Sequence, residues 1–319
     1  MVPTLSIDEL SVSFTHRIGT LEAVDGVSLQ IAQGECVGVV GESGSGKTQL
    51  FLAAMGLAGD AEVAGSIRFE GNELLGANQQ AINRVRGSKL TMIFQDPMTS
   101  LTPHLSIGTQ LAEVLVCHSG LSWREARDVS LRMLEKVRIP EPRRRLEQYP
   151  HELSGGMRQR VMLAMSLLCE PALVIADEPT TALDVTIQAQ IIELLRSVRS
   201  EAGMSLALIS HDLAVVASLA DRILVMYAGR IVENAAADEI FRQPRHPYTA
   251  ELLKCVPSLS GARLARLPTL AGQPPQPGEA LAACAFAPRC PRAAERCRSE
   301  SPVLAGAPTS QVACHFPLS

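Results

Sequence analysis

The chain has 319 residues, 46% of them hydrophobic, and 29 Lys and Arg stand against 33 Asp and Glu for a formal net charge of −4. This is the composition of one large globular domain or a domain with appendages, and the near-neutral balance leaves no electrostatic footprint for nucleic acid. No uninterrupted apolar run approaches the roughly 18 residues that suggest a spanning helix; the longest candidate, Val161–Cys169, is stopped by Glu170-Pro171.

The N-terminus lacks a basic region followed by an apolar one, so a cytoplasmic chain without a secretory signal is expected. Two alternating stretches, Leu5–Phe14 and Val24–Ile31, predict strands. Phe14 either stacks under an adenine ring or packs in the core, and residue type alone does not separate the two. Cys36–Val40 suits a buried parallel strand and Gln49–Met55 a helix. Between them stands Gly41-Glu42-Ser43-Gly44-Ser45-Gly46-Lys47-Thr48, the spacing G-x-x-x-x-G-K-T. Small residues there let consecutive backbone N–H groups turn inward around phosphates, and the helix start adds its dipole. Lys47 reaches the outer phosphates, the Thr48 hydroxyl ligates Mg²⁺, and Gln49 carries the cradle into the helix. A chance match arises in on the order of one per cent of chains this long. Nucleotide binding is the expectation; its purpose is not written in this loop.

Gly65–Glu70 and Leu90–Gln95 are two further predicted strands. From about 100 to 170 the pattern turns helical, clearest in Leu111–Leu115 and Trp123–Val137, with Arg138–Glu147 expected as a connecting loop. Leu153-Ser154-Gly155-Gly156-Met157 opens a helix over Arg158–Leu168, where Ser154 is a candidate N-cap and the glycines expose N–H groups to an anion. Taken alone, this tripeptide is more often a plain capped helix. Ala172–Glu178 is an apolar strand that ends on two carboxylates. At such a strand end Asp177 can hold Mg²⁺, and Glu178 can orient and polarise a water. Thr186–Arg199 is an amphipathic helix, and Leu206–Ile209 a strand ending at Ser210-His211-Asp212. A lone histidine there is more often structural than catalytic. Strands Arg222–Tyr227 and Arg230–Val232 and helices Asp238–Phe241 and Thr249–Lys254 complete the first 255 residues.

From Pro257 onward proline, glycine and alanine rise and periodicity fades, which predicts a loop-rich module at 256–319 that needs a staple. Of the eight cysteines, Cys36, Cys117, Cys169 and Cys255 are scattered, whereas Cys284, Cys290, Cys297 and Cys314 crowd this tail. In a cytoplasmic protein that crowding points to metal. No pair has the tight spacing usual for structural zinc. Longer loops suit an iron–sulfur cluster better, although neither common ferredoxin spacing is matched. Zinc, a cluster and unligated thiols stay open on these grounds.

The ordered set of phosphate loop, Gln95, Leu153-Ser154-Gly155-Gly156, Asp177-Glu178, Ala182-Leu183-Asp184 and His211 resembles the ATP-binding subunits of ABC transporters over residues 5–255. The resemblance implies an α/β fold: a P-loop ABC-type nucleotide-binding domain with an inserted helical subdomain and an antiparallel β subdomain. It implies that Gln95 touches Mg²⁺ and senses a membrane partner, that Glu178 is the catalytic base and His211 the switch histidine, and that Phe14 lies near the adenine. Ser154, Gly155 and Gly156 would grip ATP bound to another subunit, with Asp184 at that interface. Phe94–Leu101, Thr186–Gln190, Arg245-His246-Pro247-Tyr248-Thr249 and the cysteine tail further resemble the dipeptide/oligopeptide importer ATPases; Thr102-Pro103 departs from the Asn-Pro common there. That closer resemblance implies a [4Fe–4S] cluster on the tail, a second ATPase subunit in a heterodimer, two transmembrane permease subunits and an external substrate-binding protein, at the cytoplasmic face of the inner membrane. Nickel chelates, glutathione or oligosaccharides are alternative cargoes. A soluble ABC protein acting on nucleic acid or ribosomes is a rival that the acidic balance disfavours, and a redox sensor with an incidental ATPase is another.

Overall fold

The computed structural model describes residues 2–16, 19–96, 100–181, 183–255, 270–275 and 283–318. Pro97-Met98-Thr99 of the Phe94–Leu101 stretch, Ala182 of the Ala182-Leu183-Asp184 motif and most of the expected linker from Pro257 lie outside the described residues. Among the described residues the strands are β1 (Leu5–His16), β2 (Gly19–Ile31), β3 (Cys36–Val40), β4 (Glu62–Phe69), β5 (Asn72–Glu73), β6 (Leu90–Ile93), β7 (Leu173–Asp177), β8 (Ser205–Ile209), β9 (Arg222–Tyr227), β10 (Arg230–Ala236), β11 (Ala305–Ala307) and β12 (Ser310–Val312). The helices are α1 (Lys47–Ala54), α2 (Gln79–Val85), α3 (Ile107–Ser119), α4 (Trp123–Lys136), α5 (Pro142–Leu146), α6 (Gly155–Leu167), α7 (Val185–Ala202), α8 (Leu213–Leu219), α9 (Ala237–Arg242), α10 (Pro247–Lys254) and α11 (Glu295–Ser299). Chain contacts divide into two compact units.

The first unit comprises Met1–Leu5, Ile31–Glu35 and Gly76–Ala207. In it β6 and β7 run parallel, Leu90 opposite Leu173 and Ile93 opposite Ala176. Every residue of β7 is buried, which is why it reads as a continuous apolar run and not as an alternating one. Ser106, Ser122, Ser154 and Asp184 each cap a helix, accepting the backbone N–H three residues on. Ser122 and Glu125 complete a reciprocal capping box at α4, whose buried positions Ala126, Ser130 and Leu134 repeat every four residues. The connecting loop expected over Arg138–Glu147 contains α5 instead. Pro142 presets the first helical turn after Glu141 at φ 52, and Leu146 is buried. Helix α2, capped by Asn78, buries no residue at all, so it has no apolar stripe for a periodicity argument to find. The buried Ser205 hydroxyl accepts from the Gly34 N–H at 3.0 Å and donates to the Ala32 carbonyl at 3.0 Å.

The second unit comprises Ser6–Gln30, Cys36–Leu75 and Leu208–Ser319. One of its sheets has the order β2-β1-β4-β5, with β4 and β5 antiparallel. In the other, β3 runs parallel to β9, Val39 opposite Leu224, while β9 and β10 are antiparallel. The tail joins this sheet: β12 pairs antiparallel with β10, Glu233 opposite Val312, and β11 pairs with β12. The division of contacts therefore does not fall at 255/256, where the composition changes. Strands of three residues are too short to show a period, so composition predicts no more than a loop-rich tail.

Candidate nucleotide site

The phosphate-loop residues belong to the second unit. β3 is buried throughout and delivers the chain to Gly41, φ 156, followed by Gly44 at φ 80 and Gly46 at φ 96. A Cβ on Gly41 would lie 2.2 Å from the Met226 carbonyl oxygen, and one on Gly46 2.2 Å from that of Ala23. Neither position admits a side chain. Helix α1 starts at Lys47 with no acidic residue in its first turn, an arrangement whose N–H groups and dipole favour an anion. Lys47 is buried, and its ammonium donates to Gly41 O and Glu42 O, both at 2.8 Å, and to Ser45 Oγ at 3.3 Å. Thr48 lies one residue into the helix, and Gln49 Oε1 is a buried acceptor with no hydrogen-bond partner. Ser43 and Gly44 at the tip are exposed. In the same unit, Phe14 is half-buried on β1 and His211 is exposed just past β8. Beside His211, Ser210 Oγ accepts the Asp212 N–H at 3.0 Å and Asp212 caps α8, which fixes the turn that carries the histidine.

The carboxylates belong to the first unit. Asp177 ends β7 and is buried; Glu178 follows at φ 47, a left-handed backbone that a glutamate adopts at some cost. The structure brings Gln95 and Glu178 together: Gln95 Nε2 donates to Glu178 Oε2 at 2.9 Å, and Thr181 Oγ1 donates to the same oxygen at 2.8 Å. Ser154 caps α6, its Oγ accepting the Met157 N–H at 3.4 Å, and both Ser154 and Gly155 are exposed. A Cβ on Gly155 would meet nothing, whereas one on Gly156 would lie 3.0 Å from Ile187. Asp184 caps α7, accepting the Ile187 N–H at 3.0 Å.

Cys284, Cys290, Cys297 and Cys314 line one small cavity with His246, Phe286 and His315, with room for about 10 Å³. Burial pushes the Cys284, Cys290 and Cys314 thiols up, and each feels the neighbouring thiols as well. Buried beside them, His246 is held neutral by desolvation, its pKa lowered to about 4. Four soft donors in one cavity suit a thiolate-bound group in kind. In position they are not ready: among the described residues no three His, Cys, Asp or Glu side chains form a group that could hold a metal ion.

Sequence reasoning missed what holds the phosphate loop from outside. The Glu42 N–H donates to Tyr248 Oη at 2.9 Å, and the Glu42 carboxylate receives both terminal nitrogens of Arg289, at 2.6 and 2.9 Å. Arg289 lies 247 positions along the chain and Tyr248 lies 206. Its only local signal was its place beside Cys290. Glu233, buried on β10, was missed too; its two oxygens accept the Arg245 and His246 N–H groups at 2.6 and 2.9 Å.

Comparison with known proteins adds two matching families: residues 24–181 match "ABC transporter" and residues 232–297 match "Oligopeptide/dipeptide transporter, C-terminal region". The chain is 48% identical to the oligopeptide transport ATP-binding protein OppD of Salmonella typhimurium over 315 residues, covering 98% of this chain and 94% of that one. It is 49% identical to the dipeptide transport ATP-binding protein DppD of Haemophilus influenzae over 317 residues, covering 99% and 96%. Among solved structures it resembles the dimeric ATP-binding cassette MJ0796 in a post-hydrolysis state bound to ADP and Pi, with a TM-score of 0.66, 26% identity, and 73% of this chain and 98% of that chain covered.

Proposed function

The chain belongs to the ABC transporter family, among the oligopeptide and dipeptide transport ATP-binding proteins, and from that premise we propose how its residues power a transporter. It is the ATP-hydrolysing subunit that energises import of di- and oligopeptides. One observation carries the site: a glycine loop that admits no side chain at Gly41 or Gly46 delivers a buried lysine and the start of a helix to one point.

In this reading Gly41, Glu42, Ser43, Gly44, Ser45, Gly46, Lys47, Thr48 and Gln49 take the phosphates of ATP. The Lys47 ammonium exchanges its loop carbonyls for phosphate oxygens, and Phe14 lies against the adenine. Thr48, Gln95 and Asp177 supply the oxygens that suit Mg²⁺, which when bound neutralises phosphate charge. Glu178 accepts the proton of the attacking water, with Gln95 and Thr181 holding its carboxylate in one orientation, and His211 contacts the outer phosphate. Catalysis is then positioning and charge stabilisation. Ser154, Gly155 and Gly156 stand on an exposed helix start, where they can reach a nucleotide held by another subunit, with Asp184 at that contact. The dimeric state of the MJ0796 cassette supports this division of labour.

The partners we assign are a second ATPase in a heterodimer, two transmembrane permease subunits and an external substrate-binding protein, with no nucleic acid. Among the described residues no helix is long and apolar enough to cross a membrane, so the chain would meet the cytoplasmic face of the inner membrane through the permeases. On the tail, Cys284, Cys290, Cys297 and Cys314 would hold a [4Fe–4S] cluster, which would serve there as a structural staple.

Affinity capture of the chain from native membranes tests the assembly. Recovery of a second ATPase, two multi-span proteins and a peptide-binding protein is expected. Ribosomal or DNA-associated partners in their place would overturn the transport reading.

A further inference from the structure

We propose that Arg289 is a positioning residue for the nucleotide site: from the tail it neutralises Glu42 and fixes the phosphate loop in its binding shape. This rests on the phosphate-loop reading given above.

Glu42, the second residue of the loop, is tied on three sides. Its carboxylate takes the two-pronged bond from Arg289, its N–H is held by Tyr248 Oη, and its carbonyl accepts from Lys47 at 2.8 Å. Arg289 is itself immobilised. Its Nε donates to the Ala271 carbonyl at 2.9 Å, one terminal nitrogen reaches Tyr227 Oη at 3.3 Å, and its guanidinium carbon stands 5.8 Å from the centre of the Tyr227 ring. Tyr227 in turn packs with Tyr248 and Phe286, ring centres 4.7 to 5.4 Å apart.

The Arg289 side chain is 3% exposed and that of Glu42 27%. A desolvated ion pair is a poor way to gain stability, since apolar residues of equal volume serve as well or better. What it supplies is geometry and charge cancellation at one defined point. A loop that receives a polyphosphate is a costly place for a carboxylate, because the two anions repel at short range in a medium that screens poorly. With Arg289 bound in a two-pronged pair, Glu42 presents no net charge to the phosphates and serves as a handle on the loop backbone. Removing both charges together should therefore matter little, whereas removing Arg289 alone should matter greatly.

The test uses the purified full-length chain, titrated with ATP against a fluorescent ATP analogue, with the melting temperature measured without nucleotide as a readout of folding. Arg289→Gln should weaken ATP binding about tenfold, and Arg289→Lys, which keeps the charge and loses the fork, by about threefold. Adding Glu42→Gln to Arg289→Gln should restore affinity to within about threefold of wild type, because the exposed carboxylate is gone. A plain structural pair would lower the melting temperature and leave affinity untouched. Unchanged affinity in Arg289→Gln, or a double variant no better than the single one, would overturn the proposal. If Arg289→Gln does not fold, Arg289→Lys carries the comparison, and wild-type affinity there overturns it as well. Lys47→Ala is the separate control: should it bind ATP normally, the phosphate-loop reading has failed, independently of Arg289.

Discussion

Replacing Glu178 by glutamine separates its chemistry from its structural role. Gln95 Nε2 and Thr181 Oγ1 both donate to the same oxygen, Oε2, at 2.9 and 2.8 Å. A glutamine can place its carbonyl oxygen there and keep both bonds, leaving its NH₂ group in the position of Oε1. Glutamate and glutamine meet the left-handed backbone at φ 47 with much the same cost, so that strain is unchanged. Folding stability should shift by less than about 1 kcal/mol. The amide cannot take a proton from water, however. General base catalysis contributes about 10²–10⁴ in rate, or about 3–5 kcal/mol of barrier. In the assembled transporter, kcat for ATP should fall at least about a hundredfold, while ATP affinity changes by no more than about threefold. ATP turnover, nucleotide titration and thermal melting of the same preparation decide the matter. Turnover within about threefold of wild type, with the melting temperature preserved, would refute Glu178 as the base.

Gly46→Ala forces a Cβ to within 2.2 Å of the Ala23 carbonyl oxygen at φ 96; it should cost about 3 kcal/mol or more, seen as a lower urea midpoint. Gly155→Ala, whose Cβ meets nothing, should shift the same midpoint by less than about 0.5 kcal/mol. Glu233→Ala leaves the buried N–H groups of Arg245 and His246 without their acceptor and should destabilise the chain by about 2–4 kcal/mol in the same titration. Cys290→Ser should lower iron and sulfide content in chain reconstituted under anaerobic conditions and speed proteolysis of the tail. Because burial raises the cavity thiols and only thiolates ligate, uptake should fall as pH is lowered. Wild-type chain without any bound metal, cleaved as fast as the variant, would exclude a ligated tail.

The phosphate loop was legible in the sequence because its geometry is local. Gly41, Gly46 and Lys47 act within a single turn, and their spacing is their structure. The strand into Asp177 was legible for a related reason: burial at all five positions writes an unbroken apolar run. Helix starts at Ser154 and Asp184 followed from cap chemistry. Other parts left no local trace. Helix α2 has no buried face, α5 begins at a proline that also suits a loop, and β11 and β12 are three residues each. The hold of Arg289 on Glu42 joins residues 247 apart, and neither has a sequence neighbourhood that requires the other. The family resemblance singled out Gln95 and Glu178 separately, and their hydrogen bond across 83 residues is seen only in the structure.

The pairing of β12 along β10 has a consequence for colloidal behaviour. Without it, the Glu233–Ala235 stretch of β10 would present unpaired amides and carbonyls, a template on which another chain can add a strand. With it, the outermost strand is β11, three exposed residues with a glycine in the middle, too short to recruit a neighbour. A chain cut back at residue 255, keeping every nucleotide-site motif, would bare that sticky border. It should self-associate at concentrations where the full-length chain stays dispersed, as light scattering of the two would show.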